Sequence, residues 1–146
     1  MIVEEIITNL EDKKIKDTIT LNYHERFIRR KKLVSDNNFE FLVNLPETIS
    51  VNKDEGFLLE NNQIILIKYA KETLIEIKSD DLIKIAWHIG NRHIPCQIEN
   101  DRLLIQEDKV IEKLIIRLGG SIKTILEEFC PEGGAYGLGR THGHKH

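Results

Sequence analysis

The stretch Thr73-Leu74-Ile75-Glu76-Ile77-Lys78-Ser79-Asp80-Asp81-Leu82-Ile83-Lys84-Ile85-Ala86-Trp87-His88-Ile89-Gly90-Asn91 changes period in its middle. Residues 73–77 read as a strand. Ser79 then stands ahead of Asp80-Asp81, a helix-start signature: a hydroxyl can cap free N–H groups, and carboxylates suit the positive end of the helix dipole. Leu82, Ile83, Ile85, Ala86 and Ile89 give an apolar face at helical spacing, and Gly90-Asn91 is the expected stop. Further on, residues 94–98 and 102–106 read as two short strands about Glu99-Asn100-Asp101. Asp108 opens a second helix through Val110, Ile111, Leu114, Ile115 and Leu118, which Gly119-Gly120 ends. Between that glycine pair and Pro131, residues 121–129 favour a final strand. The order β-α-β-β-α-β predicts the split βαβ arrangement of a ferredoxin-like domain.

Toward the N-terminus the period is 2. Ile19, Leu21 and Tyr23 alternate with Thr18, Thr20 and Asn22. Phe39-Glu40-Phe41-Leu42-Val43 is a second run, expected to close at Pro46. Gly56-Phe57-Leu58-Leu59 and residues 63–69 flank Asn61-Asn62 as a hairpin. The expected fold is therefore α+β: a small β domain over residues 1–71, a ferredoxin-like domain over 72–132, and a flexible, glycine-rich, His-containing tail over 133–146. There are no internal repeats.

Composition narrows the function. Of 146 residues, 40% are hydrophobic and 31% charged, enough for a core and a soluble surface, and the net charge of -3 disfavours a globally basic nucleic-acid binder. No apolar run reaches the roughly 18 residues of a membrane helix. The start Ile2-Val3-Glu4-Glu5 lacks the basic and apolar regions of a signal peptide. Two cysteines, Cys96 and Cys130, cannot build a disulfide scaffold; free thiols point to a reducing cytoplasm. No phosphate loop, G-x-S-x-G, C-x-x-C or H-E-x-x-H is present, so nothing in the sequence supports an enzyme.

Three of six histidines close the chain as Thr141-His142-Gly143-His144-Lys145-His146. Alternating imidazoles on a flexible segment can wrap one cation such as Ni, Cu, Zn or Co; a solvated tail is the plainer reading. His88 and His93 bracket Ile89-Gly90-Asn91-Arg92, and each alone is better explained structurally than by ligation. Cys96 reads as a core thiol on the face of Ile94 and Ile98. Cys130 has no visible base partner. Arg26, Arg29, Arg30, Lys31 and Lys32, with Tyr23 and Phe27 interleaved, form a basic stretch that suits RNA phosphates, a docking patch for an acidic protein, or a solvated strand.

The segment Trp87-His88-Ile89-Gly90-Asn91-Arg92-His93-Ile94-Pro95-Cys96-Gln97-Ile98 resembles the UreE family of urease accessory proteins, nickel metallochaperones whose segment reads aromatic-His-(Leu/Ile)-Gly-Asn-Arg-His-x-Pro-x-Gln-Ile. Asp108-Lys109-Val110-Ile111-Glu112-Lys113-Leu114 and Phe129-x-Pro131-Glu132-Gly133-Gly134-Ala135-Tyr136-Gly137 extend the likeness. Leu21, Glu25-Arg26, Arg29-Arg30 and Leu45-Pro46 match more loosely. The resemblance implies a peptide-binding-like N-terminal domain and a metal-binding C-terminal domain that forms a homodimer. It implies His93 as a ligand given by both subunits to one shared Ni2+, with His142, His144 and His146 completing the site. It further implies handover through the GTPase UreG to the urease apoprotein complex and its other accessory proteins, with no nucleic acid and no membrane involved. Imidazole donors accept Zn2+ and Cu2+ as well. Relatives often carry His where Lys109 and Glu107 stand, so secondary surface sites are expected to be missing. The competing reading is a peptide-binding or scaffolding protein with incidental tail histidines.

Overall fold

Alternation of buried and exposed side chains builds the first of two units, Met1–Ala70, in a computed structural model that describes residues 1–133. Its strands are β1 (Ile2–Val3), β2 (Ile6–Ile7), β3 (Ile15–Leu21), β4 (Phe27–Val34), β5 (Glu40–Ser50), β6 (Gly56–Leu58) and β7 (Ile64–Tyr69). They form two sheets, ordered β1-β5-β4 and β2-β6-β7-β3. Ile19, Leu21, Ile28, Phe41, Val43, Phe57, Ile65 and Ile67 fill one core. Burying each of these side chains fully contributes roughly 1.5–3 kcal/mol over leaving it in water. The expected hairpin is present: Leu59 N–H donates to Gln63 O at 2.8 Å, and Asn62 takes the positive φ of the turn.

Pro46 does not close its strand as expected. Strand β5 continues to Ser50, and the pairing with β4 jumps from Arg30↔Asn44 to Ile28↔Ile49. Pro46 lies in that irregular step, where a residue lacking an N–H breaks no ladder bond. A carboxylate ties β3 to the β4–β5 turn. Asp17 accepts from the Ser35 hydroxyl, from Asn37 N–H at 3.0 Å and from the Asn37 amide at 2.7 Å. These donors, Ser35 foremost, hold its pKa down at about 2.

The second unit, Lys71–Glu132, contains β8 (Lys71–Lys78), α1 (Leu82–Asn91), β9 (Gln97–Ile98), β10 (Leu103–Gln106), α2 (Lys109–Arg117) and β11 (Ser121–Glu128). The sheet order is β11-β8-β10-β9, antiparallel throughout. Ile75, Ile77, Leu103 and Ile105 meet Ile85, Ile89, Ile111 and Ile115 of the helices in one core. Asp81, not Ser79, caps α1: its carboxylate accepts from Lys84 N–H at 3.2 Å, while the Ser79 hydroxyl accepts from Asp81 N–H. Asp108 caps α2, accepting from Val110 and Ile111 N–H at 3.0 and 3.2 Å.

Helix α2 ends in a Schellman motif. Gly119 N–H donates to Ile116 O at 3.0 Å and Gly120 N–H to Ile115 O at 2.9 Å, with Gly119 at φ 90°. A Cβ on Gly120 would lie 2.7 Å from Ile115 Cγ2, so this position needs glycine for space. On the sheet, the Arg102 guanidinium binds Glu76, Glu99 and Glu127 at 2.9–3.1 Å, joining β8, β11 and the β9–β10 turn. Bonding to Arg102 lowers the pKa of Glu127. No helix among the described residues is long and apolar enough to cross a membrane.

Candidate metal-binding turn

Helix α1 ends at Asn91, within the expected Gly90-Asn91 stop, with Arg92 as its C-cap. His93 N–H then donates to Gly90 O at 2.9 Å and Ile94 N–H to Ile89 O at 3.4 Å. This is the same 5→2 and 6→1 pair that closes α2. Ile94 packs on the core that holds Ile89, the apolar contact that accompanies such a cap. His93 therefore occupies the left-handed position, at φ 58°, and is exposed.

Glycine is the usual residue there, because a Cβ in the left-handed region costs about 1–2 kcal/mol. His93 keeps that position just past the last carbonyls of the helix C-terminus. The partial negative charge of that end favours a cation. The Arg92 guanidinium donates to His88 O at 3.0 Å, occupying one of those carbonyls and fixing the turn. His88 itself is half-buried, its ring edge-on to Trp87 at 5.0 Å.

Of the expected ligands, His93 lies within the described residues; His142, His144 and His146 lie outside them. Among the described residues no three His, Cys, Asp or Glu side chains come together to hold an ion. Cys96 is buried, though it precedes β9 and does not lie in a strand, and Ile98 is half-exposed rather than on a shared core face. Burial, and then the Glu132 carboxylate, push the Cys96 thiol up to about 12, which removes it as a thiolate donor at neutral pH. Lys109 is exposed, 3.7 Å from Glu112.

Two surface features escaped the sequence reading. Ile83 is 86% exposed and Trp87 63%, one turn apart on α1, so Ile83 belongs to a second apolar strip rather than to the core face of Ile85 and Ile89. The i, i+4 spacing of Ile83 and Trp87 was the available signal. Arg26 is buried, its guanidinium 3.4 Å from the Tyr69 ring centroid, so it leaves the basic stretch. That contact links positions far apart in sequence and has no local signature.

The profile described as UreE urease accessory protein, C-terminal domain, matches residues 72–146. The urease accessory protein UreE of Ruegeria pomeroyi is 49% identical over 130 residues, covering 89% of this chain and 87% of that protein. Those of Rhodobacter capsulatus and Ruegeria sp. strain TM1040 are 48% and 47% identical, with 89% and 90% of this chain matched to 83% and 74% of theirs. With this similarity spanning both units and including the His93 turn, the chain belongs to the UreE family of urease accessory proteins.

Proposed function

We propose that this protein is a nickel metallochaperone, a carrier and not an enzyme, that delivers Ni2+ in the cytoplasm for assembly of the urease metallocentre. The observation that carries the reading is His93: an exposed imidazole held in a glycine conformation at a helix C-terminus. In this reading residues 72–132 are a ferredoxin-like, metal-binding and dimerising domain, and residues 1–71 a peptide-binding-like domain. The apolar strip of Ile83 and Trp87, on the helix that leads to His93, supplies a face for a second copy. A twofold axis there brings two His93 side chains to one ion. His142, His144 and His146 of the 133–146 tail complete the shell.

Delivery asks for a site that opens. A structural site fixes four ligands. Here one imidazole from each chain and the tail histidines make a shell assembled from separate segments, which keeps release accessible. Imidazole donors also take Zn2+ and Cu2+, so selection for nickel comes from geometry, supply and partners. The onward partners in this reading are the GTPase UreG and the urease apoprotein complex with its other accessory proteins.

Native mass measured during a Ni2+ titration tests the proposal. A dimer binding one shared ion, with weakened uptake after deletion of residues 141–146, is the expected result. A protein that takes up no nickel would instead be a peptide-binding scaffold with incidental tail histidines.

A further inference from the structure

The basic stretch plays no part in the nickel reading. Strand β4 stands at the end of its sheet with one neighbour, β5. An end strand presents a row of N–H and C=O groups able to pair with another chain. Arg29, Arg30, Lys31 and Lys32 are four exposed cations in succession on this strand, in a chain of net charge -3. Arg30 Nε donates to Asn44 Oδ1 at 3.1 Å, and Lys32 Nζ lies 3.2 Å from Glu40. Among the described residues Arg29 and Lys31 have no carboxylate partner.

The register shows what lies beside these charges. Ile2 pairs with Leu42 and Leu42 with Lys32; Val34 pairs with Glu40. Val3, Phe41, Val43 and Leu33 turn inward and are buried, so Ile2, Leu42 and Val34 lie on the outer face, where all three are exposed. An aliphatic row thus crosses the sheet and ends at a cationic edge. Lys31 stands in register with buried Val43, yet is exposed. A lysine on the inward side of an edge strand repels a second identical edge.

We propose that β4 is a docking edge for an acidic, extended segment of a partner protein. The segment adds a strand beside β4, sets carboxylates against Arg29, Arg30, Lys31 and Lys32, and lays aliphatic side chains toward Val34 and Leu42. This deepens the reading of residues 1–71 as a peptide-binding-like domain and is independent of His93. A second copy is disfavoured because it brings like charges together. RNA is disfavoured because the neighbouring rings, Tyr23 and Phe27, are half-buried and packed edge-to-face at 5.2 Å, leaving no stacking platform.

Fluorescence anisotropy on the full chain tests it, with two labelled twelve-residue probes: alternating Glu-Val and alternating Lys-Val. The Glu-Val peptide should bind about tenfold tighter, and raising NaCl from 50 to 500 mM should weaken it by a similar factor. Arg29→Glu with Lys31→Glu should reverse the preference; Arg29→Gln with Lys31→Gln, which spares the fold from new charge, should remove it. Methylating alternate peptide nitrogens should abolish binding, because strand addition needs those N–H groups. Equal binding of both probes, unchanged in the variants, would overturn the edge while leaving a peptide-binding module. Binding of neither probe would overturn both. Binding of oligo-uridine, lost in the Gln variant, would overturn the edge in favour of nucleic acid.

Discussion

Helices α1 and α2 end in the same hydrogen-bond motif, yet one places His93 and the other Gly119 at the left-handed residue. The hydrogen bonding of the turn therefore does not account for the difference. A Cβ at Gly119 would meet nothing within 4 Å, so glycine is there for its φ alone. His93 stands instead at φ 58°, inside the left-handed well open to residues with a Cβ, a conformation uncommon for non-glycine residues though less so for His, Asn and Asp. A position that forgoes the stable choice points to a side chain kept for what it binds. The α2 end is an internal control for that argument.

The largest expected effect is on the metal. On the proposed shared site, His93→Ala should lower nickel affinity by about 100-fold, since one substitution per chain would remove two imidazoles from one ion. Calorimetric titration of the folded variant measures it; unchanged tight binding would end the assignment. Gly119→Ala comes next. With φ fixed near 90° by the motif, it should destabilise the protein by about 1–2 kcal/mol and leave nickel binding unaltered. A denaturant titration showing no loss would mean that the α2 turn relaxes freely and cannot serve as the control.

These comparisons belong above about pH 4. Asp17 is held at about 2 against an ordinary 3.8, so its contribution is fully present above the higher value and is lost as pH falls toward the lower one. Melting temperature should drop through that window whatever occupies either helix end. Asp17→Asn should be less stable at neutral pH and should show a shallower drop, and an acid profile identical to the parent's would show that Asp17 contributes nothing to it.

Much of this was legible in the chain. Hydrophobic period placed both helices, the Asn61-Asn62 hairpin and the strand before Pro131. The Gly-Asn-Arg-His stretch directed attention to His93. Helix α1 ends at the expected Gly90-Asn91 stop, and the turn beyond it is held where Ile94 meets the core. Ile83 was put inside because it is apolar and near the right spacing, but its angle on the helix places it opposite Ile85. Pro46 stopped the expected strand because a proline normally ends pairing, and the irregular β4–β5 register that admits it is set by tertiary packing. Arg26 against Tyr69, and Arg102 among three glutamates, join residues too distant in sequence for any local pattern.

The smallest effect is the sharpest test of the comparison. His93→Gly relieves the left-handed Cβ but gives the unfolded chain more entropy to lose, so the net gain should be about 0.5–1 kcal/mol. For a chain of this length that raises the melting temperature by about 2–4 °C. His93→Ala retains a Cβ and should gain none of it, so the two variants should be equally weakened in nickel binding yet differ in stability. The measurement needs metal-free protein, because bound nickel stabilises the parent by mass action and would hide the difference. If glycine and alanine at 93 melt together, the turn tolerates any residue and His93 bears no conformational cost. If glycine alone is more stable, the α1 end has exchanged stability for an imidazole, and the α2 end shows how the same turn is built when no ligand is required.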